Sequence, residues 1–139
     1  MIQTAPISMI MTKDVITLNK TDRLDTAGLL FKRHKIRHIP IVEATKIIGM
    51  LSYTDLLRLS FADMTDIDND SSDTTVYGML TIEQVMKQNV VSVSSTKSIK
   101  EVAEILAVQE FHALPVVDKN DLKGIVTTTD LIKYLIAQF

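Results

Sequence analysis

The chain has 139 residues, of which 46% are hydrophobic and 23% charged, and its formal net charge is -2. This composition is typical of a globular protein that buries a real core, either as one domain or as two small halves. The near-neutral charge does not favour nucleic acid or an anionic membrane as a partner. The sequence contains no cysteine, which excludes disulfides, thiolate metal sites and a cysteine nucleophile.

Neither a membrane span nor a signal peptide is recognisable. No apolar run approaches the roughly 18 residues that a spanning helix needs. The N-terminal residues lack a basic stretch followed by a long apolar one. We therefore expect a cytoplasmic protein.

An internal duplication is the strongest feature of the sequence. A shift of 75 positions aligns Ile7–Phe61 with Ile82–Ile136 without a gap. The identical pairs include residues that restrict the backbone or carry charge, namely Pro40 and Pro115, Gly49 and Gly124, and Asp55 and Asp130. We predict a first repeat over 1–62, a linker over 63–78 and a second repeat over 79–139.

Each repeat predicts the order strand, helix, strand, strand, helix. The first repeat has a β-branched run at Val15–Thr17, cap candidates Thr21 and Asp22, strands at Ile39–Val42 and Ile47–Leu51, and a closing helix at Thr54–Ala62. The second repeat has the run Val90–Val93, cap candidates Ser95 and Thr96, strands at Leu114–Val117 and Leu122–Val126, and a closing helix at Thr129–Ala137.

The first helix of each repeat has a single apolar face. Its residues recur at the spacing i, i+3, i+4 and i+7, which indicates one buried stripe. They are Leu24, Ala27, Gly28 and Phe31 in the first repeat, and Ile99, Val102, Ala103 and Leu106 in the second. One small sheet with two helices cannot cover both of its faces, so we expect the repeats to pair about a pseudo-twofold axis. The predicted fold class is α/β (α+β).

Two local features refine this prediction. Proline within the strands at Pro40 and Pro115 indicates a sheet edge or an irregular strand start. The segment Asp63–Tyr77 holds five aspartates and neither lysine nor arginine, which predicts a flexible, partly disordered linker.

The paired segments Ile39–Val42 with Gly49–Asp55, and Leu114–Val117 with Gly124–Asp130, resemble the cystathionine-β-synthase (CBS) domain. A tandem pair of these domains is called a Bateman module. The resemblance covers nearly the whole chain outside the linker. It implies a three-stranded sheet with two helices in each repeat, and dimerisation of the paired module. It also implies that adenosine-containing ligands (AMP, ADP, ATP or S-adenosylmethionine) bind in clefts between the repeats.

The resemblance also assigns ligand contacts. A carboxylate at a helix start can accept both hydrogens of a ribose diol, and nearby hydroxyls and free amides can meet ribose or phosphate oxygens. The residues in these positions are Ser52, Thr54 and Asp55 in the first repeat, and Thr127, Thr129 and Asp130 in the second. Thr17 and Ser92 would lie beside the adenine. Because the family's pairing is crossed, Thr17 would serve Asp130 and Ser92 would serve Asp55.

Basic residues before the Leu/Ile-Pro step usually hold phosphate in such modules. The candidates here are Arg37 and His38 in the first repeat and His112 in the second, where Ala113 replaces the second basic residue. We therefore expect two unequal sites. Lys32, Arg33 and Lys35 are further possible sources of positive charge.

The same residues also have purely structural explanations. Asp55 and Asp130 could simply stabilise helix N-termini, and residues 32–38 could be a solvated helix end. His34 and His38 share a helical spacing, but no third metal ligand is evident. The series Asp66, Asp68 and Asp70 imitates a calcium loop without its required glycine and closing glutamate. No metal site is expected.

We expect a stand-alone regulatory sensor, not an enzyme, because no reacting group can be assigned a role. Its output would pass through an unknown protein target or through its oligomeric state, with a homodimer as the expected assembly. One alternative is a protein-interaction scaffold whose clefts are vestigial. A small nucleic-acid-binding protein is less favoured, because few aromatic residues accompany the basic cluster.

Overall fold

The computed structural model describes residues 5–64, 80–109 and 112–139, except for the side chains of 60–64. The chain divides into two compact units. We call Ile16–Val90 the continuous unit, and Met1–Val15 together with Val91–Phe139 the composite unit. The N-terminal residues of the first repeat thus belong to the same unit as the strands and closing helix of the second.

The continuous unit has α+β architecture. In chain order it contains strand β1 (Leu18–Asn19), helix α1 (Leu24–His34), strands β2 (His38–Glu43) and β3 (Lys46–Ser52), and helices α2 (Tyr53–Met64) and α3 (Ile82–Val85). Strand β2 pairs with β1 in parallel and with β3 in antiparallel orientation.

The composite unit contains related elements. After a 3-10 turn at Ile7–Met9, it holds helix α4 (Ile99–Gln109), strands β4 (Ala113–Asp118) and β5 (Asp121–Thr127), and helix α5 (Thr128–Ala137). Strands β4 and β5 form an antiparallel hairpin. Lys119 and Asn120 connect them with φ values of 52° and 68°. Two consecutive positive φ values match the twist of a tight hairpin.

The first strand of each repeat is displaced from its prediction. Val15–Thr17 has no strand structure, and β1 is the following pair of residues, with Leu18 opposite Ile41. In the composite unit Val93 forms one isolated parallel bridge, to Val116. The pairs Leu18–Ile41 and Val93–Val116 are equivalent, because each residue of the second pair lies 75 positions after its counterpart in the first. The β-branched runs before them are exposed or half-buried, and their propensity alone does not place them in the sheet.

The predicted helix caps were also wrong. Helix α1 begins after Arg23, while the Asp22 carboxylate accepts a bond from the Asn19 N–H at 2.7 Å in the preceding turn. At the start of α4, Ser98 Oγ accepts from the Glu101 N–H at 3.1 Å, in place of the predicted Ser95 and Thr96. Both helices start later than their predicted caps, because Asp22 is bonded within the preceding turn and Ser95 is bonded to Asp118 of β4.

The two prolines lie inside strands and are buried. Strand β2 has a neighbouring strand on each side, so the predicted edge position is wrong for Pro40, whereas β4 is the last strand in the sheet order and Pro115 does lie in an edge strand. Pro40 is opposite Met50, whose N–H and C=O both bond to Lys87 and therefore point away from β2. Pro115 is opposite Ile125, whose backbone bonds to Thr12 in the same way. Each proline thus occupies a pair that exchanges no ladder hydrogen bonds, so its missing N–H costs nothing there.

Each unit has its own apolar core, and the predicted helix stripes lie in these cores. In α1 the residues Leu24, Ala27 and Phe31 are buried, and in α4 Ile99, Val102 and Leu106 are buried. Gly28 and Ala103 are half-buried. The core of the composite unit also includes Ile7, whose N–H bonds to the Lys97 carbonyl at 2.7 Å.

The linker prediction is tested only at its start. Asp63 and Met64 belong to helix α2, and residues 65–79 lie outside the described ranges. Within the described parts of the chain, no helix is long and apolar enough to cross a membrane.

Candidate functional site

The first turn of α5 holds a carboxylate in a fixed position. The Thr127 hydroxyl accepts a hydrogen bond from the Asp130 N–H at 3.2 Å, and Asp130 Oδ2 accepts from the Thr127 N–H at 2.9 Å. This reciprocal pair is a capping box, which satisfies two backbone donors that the helix leaves free. The carboxylate of Asp130 is therefore held at the positive end of the helix.

Thr12 lies against this carboxylate. Its backbone N–H and C=O exchange hydrogen bonds with Ile125 at 2.8 and 2.9 Å, which attaches the segment to β5. Its hydroxyl lies 3.5 Å from both carboxylate oxygens of Asp130. That distance is at the outer limit of a hydrogen bond, so Asp130 keeps acceptor capacity for a ligand hydroxyl.

Gly124 permits this close approach. A Cβ atom at position 124 would lie 2.8 Å from the Met11 sulfur and 2.8 Å from the Thr12 carbonyl oxygen. Such distances are shorter than real Cβ contacts, so any larger residue would displace Met11 and Thr12. Gly124 therefore allows the backbone of Thr12 to pack closely against β5.

The first turn of α2 presents the equivalent carboxylate, Asp55. Its N–H donates to Ser52 Oγ at 3.0 Å, and its Oδ1 lies 3.4 Å from the guanidinium of Arg58. Arg58 is 76% exposed, so this pair contributes little stability. Asp55 Oδ2 is buried and has no hydrogen-bond partner among the described residues.

Lys87 occupies in the continuous unit the place that Thr12 has in the composite unit. Its backbone exchanges hydrogen bonds with Met50 at 3.0 and 2.9 Å. Gly49 again permits the approach, because a Cβ there would lie 2.9 Å from the Lys87 carbonyl oxygen and closer still to Met86. The two units thus share a backbone arrangement but place different functional groups on it, an ammonium in one and a hydroxyl in the other.

The phosphate candidates border the same two helix starts. The Arg37 carbonyl accepts from the Tyr53 N–H at 2.8 Å, and the His112 carbonyl accepts from the Thr128 N–H at 3.0 Å. The side chains of Arg37 and His112 are exposed, whereas His38 is half-buried and lies opposite Ser52 in the strand pair.

The other predicted ligand-binding residues are exposed at the surface. Thr54 and Thr129 are exposed at the second position of their helices. Thr17 and Ser92 are exposed and lie outside regular structure. Thr17 and Asp130 belong to different units, as do Ser92 and Asp55, so the predicted crossed pairing of these residues stays a prediction.

Sequence reasoning missed Thr12. A first-repeat residue does reach the second-repeat aspartate, but it is Thr12, five positions before the predicted Thr17. A signal existed, because its neighbour Met11 is identical to Met86 at the repeat spacing. Thr12 itself aligns with Lys87, and the lack of identity concealed it.

Metal ligation finds no support in the described ranges, where no group of three or more histidine and acidic side chains could hold an ion. The calcium-like series Asp66, Asp68 and Asp70 lies outside those ranges.

The repeated hairpin, closing helix and carboxylate define the class as a tandem α+β module. A family model described as the CBS domain matches residues 7–62 and 82–137, which together make up most of the chain. The chain belongs to the CBS domain family and carries two copies of the domain, as the sequence motifs predicted.

Two relatives show how this pair occurs in other proteins. The Methanocaldococcus jannaschii protein MJ1225 is 30% identical over 125 residues, which are 89% of this chain and 45% of that protein. The Bacillus subtilis CBS domain-containing protein YhcV is 30% identical over 121 residues, 87% of this chain and 79% of the relative. The chain therefore spans less than half of MJ1225 and most of YhcV.

Solved structures share the fold. A candidate acetoin utilization protein (AcuB) from Vibrio cholerae has a TM-score of 0.80 at 30% identity, covering 96% of this chain and 91% of that one. CBSX2, solved in complex with AMP, has a TM-score of 0.80 at 22% identity, with 96% and 98% covered. The MJ0100 domain pair, solved with 5′-methylthioadenosine and S-adenosylmethionine, has a TM-score of 0.79 at 23% identity, with 97% and 98% covered. At these identities the last two show the fold alone.

Proposed function

We propose that the protein is a regulatory sensor that binds an adenosine-containing ligand at the starts of α2 and α5. The observation that carries this proposal is the buried Oδ2 of Asp55, which has no partner among the described residues. Leaving a buried acceptor unsatisfied costs about 1–3 kcal/mol, which a ligand hydroxyl would recover. A ribose diol offers two adjacent hydroxyls to one carboxylate.

The composite unit supports the same chemistry with different residues. Asp130 is fixed by its capping box and has a hydroxyl beside it, on Thr12. The exposed hydroxyl of Thr129 is available to ribose or phosphate oxygens. Two carboxylates at equivalent helix starts would then anchor two ligands.

AMP, ADP, ATP and S-adenosylmethionine are the candidate ligands. CBSX2 was solved with AMP, and MJ0100 with S-adenosylmethionine and 5′-methylthioadenosine. All of these contain an adenosine ribose, the part that Asp55 and Asp130 would bind. We also propose a cytoplasmic location, where ligands of this class occur.

Regulation requires that the ligand bind one conformational or oligomeric state more tightly than another. No residue is assigned a catalytic role, so we propose that the protein signals through a protein target or through its own assembly. Helix α5 offers a surface for association. The apolar side chains exposed on one face of this helix and its C-terminal end are Ile132, Leu135, Ile136 and Phe139. A homodimer that uses this face fits the proposal.

The same exposed face favours a second candidate function, an interaction scaffold in which the ligand sites are vestigial. Its apolar residues recur at the spacing i, i+3, i+4 and i+7 of one helix face, which suits the docking of a partner. This alternative predicts assembly that is independent of nucleotide.

A thermal-shift experiment with AMP, ADP, ATP, S-adenosylmethionine, NAD and GTP distinguishes the ligand sensor from the interaction scaffold. A ligand at 100 times its Kd stabilises the native state by about 2.7 kcal/mol, which is several degrees in a protein of this size. The matched variants are Asp55→Asn and Asp130→Asn, which keep the shape of the side chain and remove its charge. A shift with adenosine ligands that one variant abolishes supports the sensor. A folded protein whose melting temperature no adenosine ligand raises supports the scaffold.

A further inference from the structure

Five residues between positions 32 and 37 form a cluster of basic side chains on the continuous unit. Lys32, Arg33, His34, Lys35 and Arg37 are all exposed. None of them forms an ion pair or side-chain hydrogen bond with another residue in the described ranges. We call these five residues the basic cluster.

The helix dipole explains only part of this cluster. Lys32, Arg33 and His34 lie in the last turn of α1, where cations are stabilised by the negative helix end. Lys35 follows the helix with φ 54° and ψ 41°, a left-handed conformation that glycine or asparagine would adopt at lower cost. A lysine at this position is therefore better explained by its charge than by its backbone preference.

The basic cluster borders the first turn of α2. The Arg37 carbonyl accepts from the Tyr53 N–H at 2.8 Å, and the Tyr53 ring lies 5.2 Å from the ring of Phe31, next to Lys32. The positive end of α2 and the backbone that carries the basic cluster therefore lie side by side. Their fields add, which favours a ligand with several negative charges.

The composite unit lacks this charge. At the repeat spacing, Lys32, Arg33 and His34 correspond to Ala107, Val108 and Gln109. Arg37 corresponds to His112, and no lysine or arginine replaces the others. The two helix starts thus differ in the number of phosphates that they can neutralise.

We infer, on the basis of the proposed function, that the continuous unit selects a nucleoside polyphosphate over the corresponding monophosphate. The ribose would bind at Asp55, and the phosphate chain would extend from the start of α2 over the basic cluster. A ligand with one phosphate or none, such as AMP or S-adenosylmethionine, would be left to the composite unit.

Nucleic acid is a weaker explanation for the same cations. Phe31 is the aromatic residue of α1 next to the cluster. Its side chain is only 2% exposed, so its ring cannot stack on a base. In the composite unit, the residues equivalent to the cluster include no lysine or arginine, so this unit has no matching basic cluster.

The test compares ATP, AMP and inorganic tripolyphosphate by isothermal titration calorimetry at low salt. In the triple variant Lys32→Gln, Arg33→Gln, Lys35→Gln, we expect ATP affinity to fall about tenfold, because each exposed charge contact contributes only modestly. AMP affinity should stay within about twofold. The matched control removes three lysines of the composite unit, Lys97→Gln, Lys100→Gln and Lys123→Gln, and should leave the ratio of ATP to AMP affinity unchanged.

A single variant separates binding from folding. Lys35→Gly removes a cation and relieves the left-handed backbone, so it should raise the melting temperature while lowering the affinity for ATP. Tripolyphosphate should bind the wild type and lose affinity in the triple variant. Asp55→Asn should weaken ATP binding while Asp130→Asn leaves it intact.

Each contrary outcome has a distinct meaning. Equal affinity for ATP and AMP in the Asp130→Asn variant, in which only the continuous unit keeps its carboxylate, overturns the inference and leaves the proposed function standing. Failure of every adenosine ligand to bind overturns both. A single-stranded oligonucleotide that binds more tightly than ATP, and loses affinity in the triple variant, would reassign the basic cluster to nucleic acid.

Discussion

The hydroxyl of Thr12 lies 3.5 Å from both carboxylate oxygens of Asp130, although 118 positions separate the two residues. The contact depends on Ile125, whose backbone bonds to Thr12, and on the capping box that fixes Asp130. The proposed ligand site in the composite unit therefore combines side chains from both repeats.

Replacing Thr12 by valine removes this hydroxyl and keeps the shape of the side chain. We expect ligand affinity at Asp130 to fall about threefold to tenfold, as for the loss of one neutral hydrogen bond. Unfolding free energy should change by less than about 0.5 kcal/mol, because Thr12 is exposed. Calorimetric titration with AMP and S-adenosylmethionine measures the affinity. Thr12→Ser is the control that should retain it, and equal affinities of Thr12→Val and wild type would exclude Thr12 from the site.

Alanine in place of Gly124 or Gly28 should have opposite effects on stability. A Cβ at position 124 would meet the Thr12 carbonyl oxygen at 2.8 Å, so Gly124→Ala should lower the unfolding free energy by about 1–3 kcal/mol. At position 28 the nearest atom is Leu56 Cδ2 at 3.6 Å, an ordinary contact. Gly28→Ala, within α1, should therefore stabilise the protein by about 0.5–1 kcal/mol. Urea denaturation measures both values, and two changes of the same sign would contradict this account.

Ser95 should stabilise the protein in a pH-dependent way. Its hydroxyl donates to Asp118 Oδ2 at 2.6 Å and its N–H donates to Oδ1 at 3.1 Å. These bonds, the hydroxyl first, lower the pKa of Asp118 from its ordinary value of 3.8. The stabilisation is therefore present above pH 3.8 and is lost as the pH falls through the lower native pKa of this carboxyl.

Ser95→Ala should accordingly lower the melting temperature at neutral pH, and its difference from the wild type should shrink below pH 3.8. Thermal denaturation across this range tests the expectation. Ser94→Ala is the control, since the Ser94 hydroxyl contacts Thr96 Oγ1 at 3.2 Å and not Asp118. A difference between Ser95→Ala and wild type that is independent of pH would refute the role of Asp118.

The apolar face of α5 should drive self-association. Leu135 and Ile136 are 57% and 65% exposed, and burying them in a dimer removes apolar surface from water. We expect the double variant Leu135→Gln, Ile136→Gln to weaken dimerisation at least about tenfold in sedimentation velocity experiments. Val108→Gln, at a comparably exposed residue of α4, should leave it unchanged. A wild-type protein that sediments as a monomer at high concentration would rule out this use of the face.

The sequence by itself determined the duplication, the helix, strand, strand, helix order within each repeat, the α1 and α4 stripes and the helix-start aspartates. These features are local or repeat at a constant spacing, so periodicity and motif matching reveal them. The glycine-to-aspartate segment was recognisable because its pattern occurs twice in one chain.

The tertiary structure alone decided which distant segments meet. Thr12 and Lys87 reach β5 and β3 through backbone hydrogen bonds, and such bonds leave no mark on side-chain composition. The position of β1 and the capping by Ser98 likewise depended on how the preceding turns use their polar groups. Local propensity is a weak prior that long-range pairing overrides, so the contacts of Asp55 and Asp130 became visible only in the folded chain.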